Sequence, residues 1–134
     1  MQRRFFSLAA MCALALAAPA WAHHSHNAYE VTKWTNMEGT VKEIHLIIPH
    51  SWVYLDVKDE KGETITWALE AAGPNTMIRN GAKREDVKTG DRIKVRCHLL
   101  RDGSNGCLLG FLKARDGSVK DWDGGQNTPI PTDF

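Results

Sequence analysis

Cysteine is scarce, with three in 134 residues, and no two of them stand in a C-x-x-C pair. That absence removes the usual zinc-ribbon, thioredoxin-like and covalent-haem spacings. An H-E-x-x-H helix and an acidic calcium loop are missing as well. Net charge is nearly absent, +1 for the whole chain, so there is no electrostatic footprint for nucleic acid. Past residue 22 no apolar run approaches the ~18 to 20 residues of a membrane-spanning helix, and no membrane insertion is expected of the chain that follows. Ser25 lies among histidines and Ser51 follows His50, but neither sits in a strained strand-to-helix turn with an oxyanion hole. Asp56, Glu63 and Glu70 read as outward acids on strands. No catalytic set emerges, and the chain reads as a binding protein rather than an enzyme.

One long apolar run is present, at the start. Met1-Gln2-Arg3-Arg4 is basic, Phe5 to about Ala18 is apolar, and Ala20-Trp21-Ala22 is an A-x-A site. This order predicts a cleaved secretory signal over 1-22 and a periplasmic, soluble product. Arg3-Arg4 leaves the general secretory and twin-arginine routes both open. Cys12 falls in the apolar run and leaves with it. Cleavage after Ala22 gives 112 residues, removes two arginines and no acids, and takes the formal charge to −1. That length suits one domain with a modest core.

Cys97 and Cys107 remain, and an even count in an oxidising compartment reads first as a disulfide. A ten-residue loop closed this way stabilises the fold by about 2.7 kcal/mol on the chain-entropy estimate. The two positions are symmetric about residue 102, inside the turn-rich Arg101-Asp102-Gly103-Ser104-Asn105-Gly106. A hairpin centred there puts them opposite each other.

Alternation marks the strands. Met37 to Ile48 is apolar-rich and ends at Pro49; in Ser51 to Lys58, Val53, Leu55 and Val57 share one face and Trp52 and Tyr54 the other; Thr64 to Glu70 returns with Ile65, Trp67 and Leu69 inward. Pro74 to Arg79, opened by proline and stopped at Asn80-Gly81, predicts a short helix. Arg92 to Leu100 and Cys107 to Ala114 form the next pair, and Ser118 to Trp122 a sixth short strand. The fold expected is all-β with one short helix: a five- to six-stranded barrel over 37-122 with oligonucleotide/oligosaccharide-binding (OB-like) order, or alternatively an open β-sandwich. A His-rich segment, 23-36, precedes it, and a Gly- and Pro-containing tail, 123-134, follows.

Three of six histidines, His23, His24 and His26, crowd the new N-terminus. A free α-amine beside the His23 imidazole forms a chelate that suits copper(II), which leads the divalent affinity order and accepts tetragonal nitrogen donors. Retention of Ala22 would instead place His24 third from the amine, a different copper(II) arrangement. His50, beyond Pro49 at a strand corner, is the second arm. His45 is a weaker candidate of unknown facing, His98 is expected in solvent, and Met37 and Met77 read as packing residues. The metal set expected is therefore His23, His24, His26 and His50, for a copper-binding carrier or accessory protein. A copper-dependent oxidase would need an open coordination position. The competing reading is a metal-free module whose outward Trp52 and Tyr54, with Trp34 and Trp122, stack on a small molecule or a periplasmic partner protein.

Several segments together carry a resemblance. They are His23-His24-Ser25-His26-x-x-Tyr29, Gly39-Thr40-Val41-Lys42-Glu43, Pro49-His50-Ser51-Trp52-Val53-Tyr54-Leu55-Asp56-Val57, Trp67-x-x-Glu70 with Gly73-Pro74-Asn75, and Val87 to Asp91. The chain resembles a family of small exported bacterial proteins of unknown function, with an HHS mature start and an asparagine-proline-histidine corner. It departs from that pattern at Ile48, where the family has asparagine, and in the Cys97/Cys107 pair. The resemblance implies interest in the four histidines and names no reaction.

Overall fold

The computed structural model describes residues 26–124 and 128–134; the cleavage site, His23 and His24 lie outside the described residues. Among the described residues six strands run in chain order: β1 (Thr35–His45), β2 (His50–Lys58), β3 (Thr64–Ala72), β4 (Arg92–Leu99), β5 (Gly106–Lys113) and β6 (Val119–Asp121), with one α-helix, α1 (Pro74–Arg79), between β3 and β4. The helix starts where proline loses nothing, since the N–H at N1 has no intrahelical acceptor. Its last turn is closed by the Asn80 N–H.

The sheet order is β3-β2-β1-β4-β5-β6, and a parallel pairing of β3 with β5, Leu69 opposite Cys107, closes the first five strands into a barrel. Closure excludes the open sandwich and leaves β5 without a free edge. The long β1 serves two partners: residues 35–40 pair with β4 and 40–45 with β2, with a register shift between Val41 and Glu43 where the strand changes partner. Extra residues at such a shift bend a strand and increase its twist, which a small barrel requires.

Inward positions follow the alternation. Val41, Val53, Leu55, Leu69, Ile93, Val95, Leu109 and Leu112 are buried together, and Met77 from α1 joins them. Each such side chain contributes roughly 1.5 to 3 kcal/mol on removal from water. Met37 and Met77 are thus packing residues. Cys97 and Cys107 are bonded, with Cα atoms 5.8 Å apart. The ladder corrects their expected register, because Cys97 lies opposite Leu109 and Leu99 opposite Cys107. The hairpin is centred one residue later than the turn composition implied, and the bond crosses it diagonally.

Trp122 also departs from expectation. Instead of standing outward it is 2 % exposed, the largest of the fully buried side chains, because the backbone of β6 carries it across the barrel end. Its N–H donates to the Gly110 carbonyl and its own carbonyl accepts from the Ala72 N–H, each at 2.8 Å. The terminal residues return over the outer face of the sheet: Arg96 reaches Asp133 at 3.1 Å, and Lys113 donates to the Phe134 carbonyl at 2.8 Å.

Candidate functional site

His50 opens β2 directly after Pro49, and Gly73, which precedes α1, packs over that corner so closely that a Cβ there would meet the Pro49 carbonyl oxygen at 2.6 Å. The corner and the start of the helix therefore stay together. Across the ladder His50 faces Ala72 and Trp52 faces Glu70, so His50 and Glu70 are diagonal neighbours on one face of the sheet, within reach of long side chains.

They meet. The His50 Nδ1 lies 2.5 Å from Glu70 Oε1, with the imidazole about half exposed and the carboxylate 4 % exposed. The other carboxylate oxygen, Oε2, accepts from the Tyr29 hydroxyl. Tyr29 is pressed there by its backbone: the Glu30 N–H donates to Leu99 and the Arg101 N–H to Ala28, at 2.8 and 2.9 Å. Burial, then the hydrogen bond to Glu70, pushes the Tyr29 phenol well above its usual range, so it stays a donor. Once Nδ1–H of His50 is committed to the carboxylate, the tautomer is fixed and the Nε2 lone pair is free.

His50 and Glu70 border a cavity of about 210 Å³ whose walls also include His26, Thr76 and Asp123. A larger cleft of about 390 Å³ between Glu30, Lys33 and Arg101 has mixed charges and brings no histidine together with a carboxylate. Asp123 is half-buried, and its carboxyl is raised above its ordinary value mainly by desolvation, with Asp121 and Glu70 adding to the rise and His26 and His98 opposing it. Among the described residues, no three His, Cys, Asp or Glu side chains are already gathered at metal-holding distance.

The structure brings His26 and His50 to one cavity; His23 and His24, three and two residues before His26, are outside the described residues. His45 is elsewhere, its Nε2 2.5 Å from Glu43 and its ring edge-on to Tyr54. Trp52 and Tyr54 are half-buried on the outer face of β2 and line none of this cavity. Trp34 is stacked on His98 at 3.7 Å between ring centroids. His98 itself is buried instead of solvated, its Nδ1 2.8 Å from the Lys33 carbonyl; the segment before β1 covers the polar face on which alternation put it.

Three contributors escaped the sequence reading. Glu70 was expected outward on strand alternation; it does leave the barrel interior, but Tyr29, 41 positions earlier, roofs that face. Its place in Trp67-x-x-Glu70 was the available signal. Tyr29 stood in the His-rich motif without a role, and Asp123 was counted with the tail.

The chain matches a family model described as a family of unknown function, DUF6152, over residues 11–109. No curated protein and no solved structure matches it.

Proposed function

The chain belongs to DUF6152, a family of unknown function, and from the geometry we propose that it is an exported, periplasmic copper-binding carrier or accessory protein. In this reading the ion is held by His50 Nε2 and by the His-rich segment His23, His24 and His26, with the amine of a mature chain that starts at His23. The observation that carries the proposal is the Glu70–His50 pair at the edge of a cavity that His26 also lines. A carboxylate that takes the Nδ1 proton bond orients an imidazole and raises the basicity of its remaining nitrogen, the arrangement of metal-ligating histidines. Nitrogen donors with a free amine suit copper(II). The half-exposed position of His50 allows an ion to enter and leave, as a carrier requires.

The test is a chelator-competition titration of copper(II) into the chain 23–134. His50→Ala is expected to lower affinity at least about tenfold, the usual scale for loss of a ligand's support or more, and one residue added before His23 is expected to lower it too. Equal affinities in all three proteins would sink the two-armed site.

A further inference from the structure

Trp52 and Tyr54 point to the same side of β2, because alternate residues of a strand share a face, and their Cα atoms stand roughly 6.5 to 7 Å apart at the strand rise. Val53 and Leu55 are buried in the barrel, so the two rings lie on its outer surface. Cross-strand pairing supplies their surroundings. Trp52 lies opposite His45 of β1 and Glu70 of β3, and Tyr54 opposite Glu43 and Ala68. The His45 ring meets Tyr54 edge-on at 5.4 Å between centroids. Two half-buried aromatics thus form the centre of a patch whose rim, Glu43, His45 and His50, is about half exposed. An apolar centre within a polar rim is the anatomy of a recognition surface.

The segments that fold back over the barrel land beside this patch. Tyr29 reaches Glu70, Trp34 lies on His98 and Phe111, and Asp133 and Phe134 meet Arg96 and Lys113; these contacts fall on β3, β4 and β5. Next to Tyr54 the β3 side chain is only the methyl of Ala68, which leaves a low floor beside the phenol ring.

Charge selects the occupant. Glu43 is matched by His45, Glu70 by His50 and Tyr29, and Asp56, the next outward residue of β2, accepts from Thr66 at 2.6 Å. With each of these carboxylates partnered, the face holds no bare negative charge to draw a cation. Lys42 and Lys58 donate to Thr66 and Thr64, too few for the cationic stripe that a phosphate backbone requires. Since β2 is paired on both sides, by β1 and β3, an extended peptide cannot join it as a further strand. The matching ligand is neutral, with an apolar face and many hydroxyls. A pyranose ring has both: its C–H face lies on the π face of an indole or phenol, and its hydroxyls bond to the imidazole and carboxylate around it.

We propose that the outer face of β2 binds a neutral oligosaccharide, with one sugar ring stacked on Trp52, the next on Tyr54, and hydroxyls bonded to Glu43 and His45. Barrels of this strand order take oligosaccharides on the same face. The site needs no metal ion and stands whether or not His50 holds one.

Isothermal titration of the chain 23–134 in excess EDTA tests it. The probes are the β-1,4-linked hexaoses of glucose and of N-acetylglucosamine, with hexathymidylate and hexalysine as charged comparisons. At least one hexaose is expected to bind with a Kd below about 1 mM, and the charged probes more weakly. Trp52→Ala and Tyr54→Ala should each lower that affinity about tenfold or more, the scale for loss of one stacked ring. Trp52→Phe, which keeps a ring and the fold, should lose less than Trp52→Ala. Failure of both hexaoses to bind at about 10 mM, tighter binding of either charged probe, or wild-type affinity in both alanine variants would overturn the proposal.

Discussion

Trp122→Ala is expected to cost roughly 3 to 5 kcal/mol of folding stability, the range for emptying a buried indole site. The residue is 2 % exposed and belongs to the main core cluster, although only three strand residues precede it and a loosely composed tail follows. The cavity it would leave cannot close easily, because β3 and β5, to which its backbone is bonded, are themselves fixed by the closure of the barrel. Trp122→Phe is the informative control. The indole Nε1–H has no partner in the structure, so the phenyl ring removes an unsatisfied donor along with some volume and should cost less than half as much. Urea unfolding checks both. If Trp122→Ala unfolds within about 0.5 kcal/mol of wild type, typical of surface substitutions, Trp122 does not complete the core.

Glu70→Ala is expected to destabilise the chain by roughly 2 kcal/mol, because the buried Tyr29 hydroxyl is left without an acceptor. Relief of the buried charge offsets part of the loss, which keeps the figure below that of a broken buried ion pair. Glu70→Gln separates structure from function. The amide oxygen still accepts from Tyr29, which leaves the amide NH2 facing His50 Nδ1; Nδ1 must then accept, and the ring proton moves to Nε2, the nitrogen the ion needs. Stability should therefore recover most of the way while copper(II) affinity stays about 10- to 100-fold below wild type, the scale found when an outer-shell partner of a metal ligand is removed. Thermal melts and chelator competition on the same samples read the two effects separately. Wild-type affinity in Glu70→Gln would show that the carboxylate does not position His50.

The barrel was legible because its rules are local. Val53, Leu55 and Val57 alternate with Trp52, Tyr54 and Asp56 along β2, and Pro74 with Asn80-Gly81 brackets α1. The disulfide was legible from the even cysteine count left after the expected signal cleavage, but its register was not, since one residue's offset in the turn moves every opposed pair. What alternation cannot supply is the second layer. It places Glu70 and His98 on the outer face; it does not say that residues 28–34, folded back along β4, cover that face with Tyr29 and Trp34. The same limit hid Asp123, whose position depends on Trp122 being swallowed by the barrel end. His50 was singled out for its corner after Pro49; the buried acid that makes its ring chemically distinct comes from the neighbouring strand.

The central claim is that His50 binds a metal ion together with the His-rich N-terminal segment. It is tested most directly by the electron paramagnetic resonance spectrum of the chain 23–134 loaded with one equivalent of copper(II), recorded beside His50→Ala. The account predicts a single tetragonal species in wild type, with superhyperfine structure from several nitrogens, that loses one nitrogen and shifts in the variant. Identical spectra from the two proteins would contradict it.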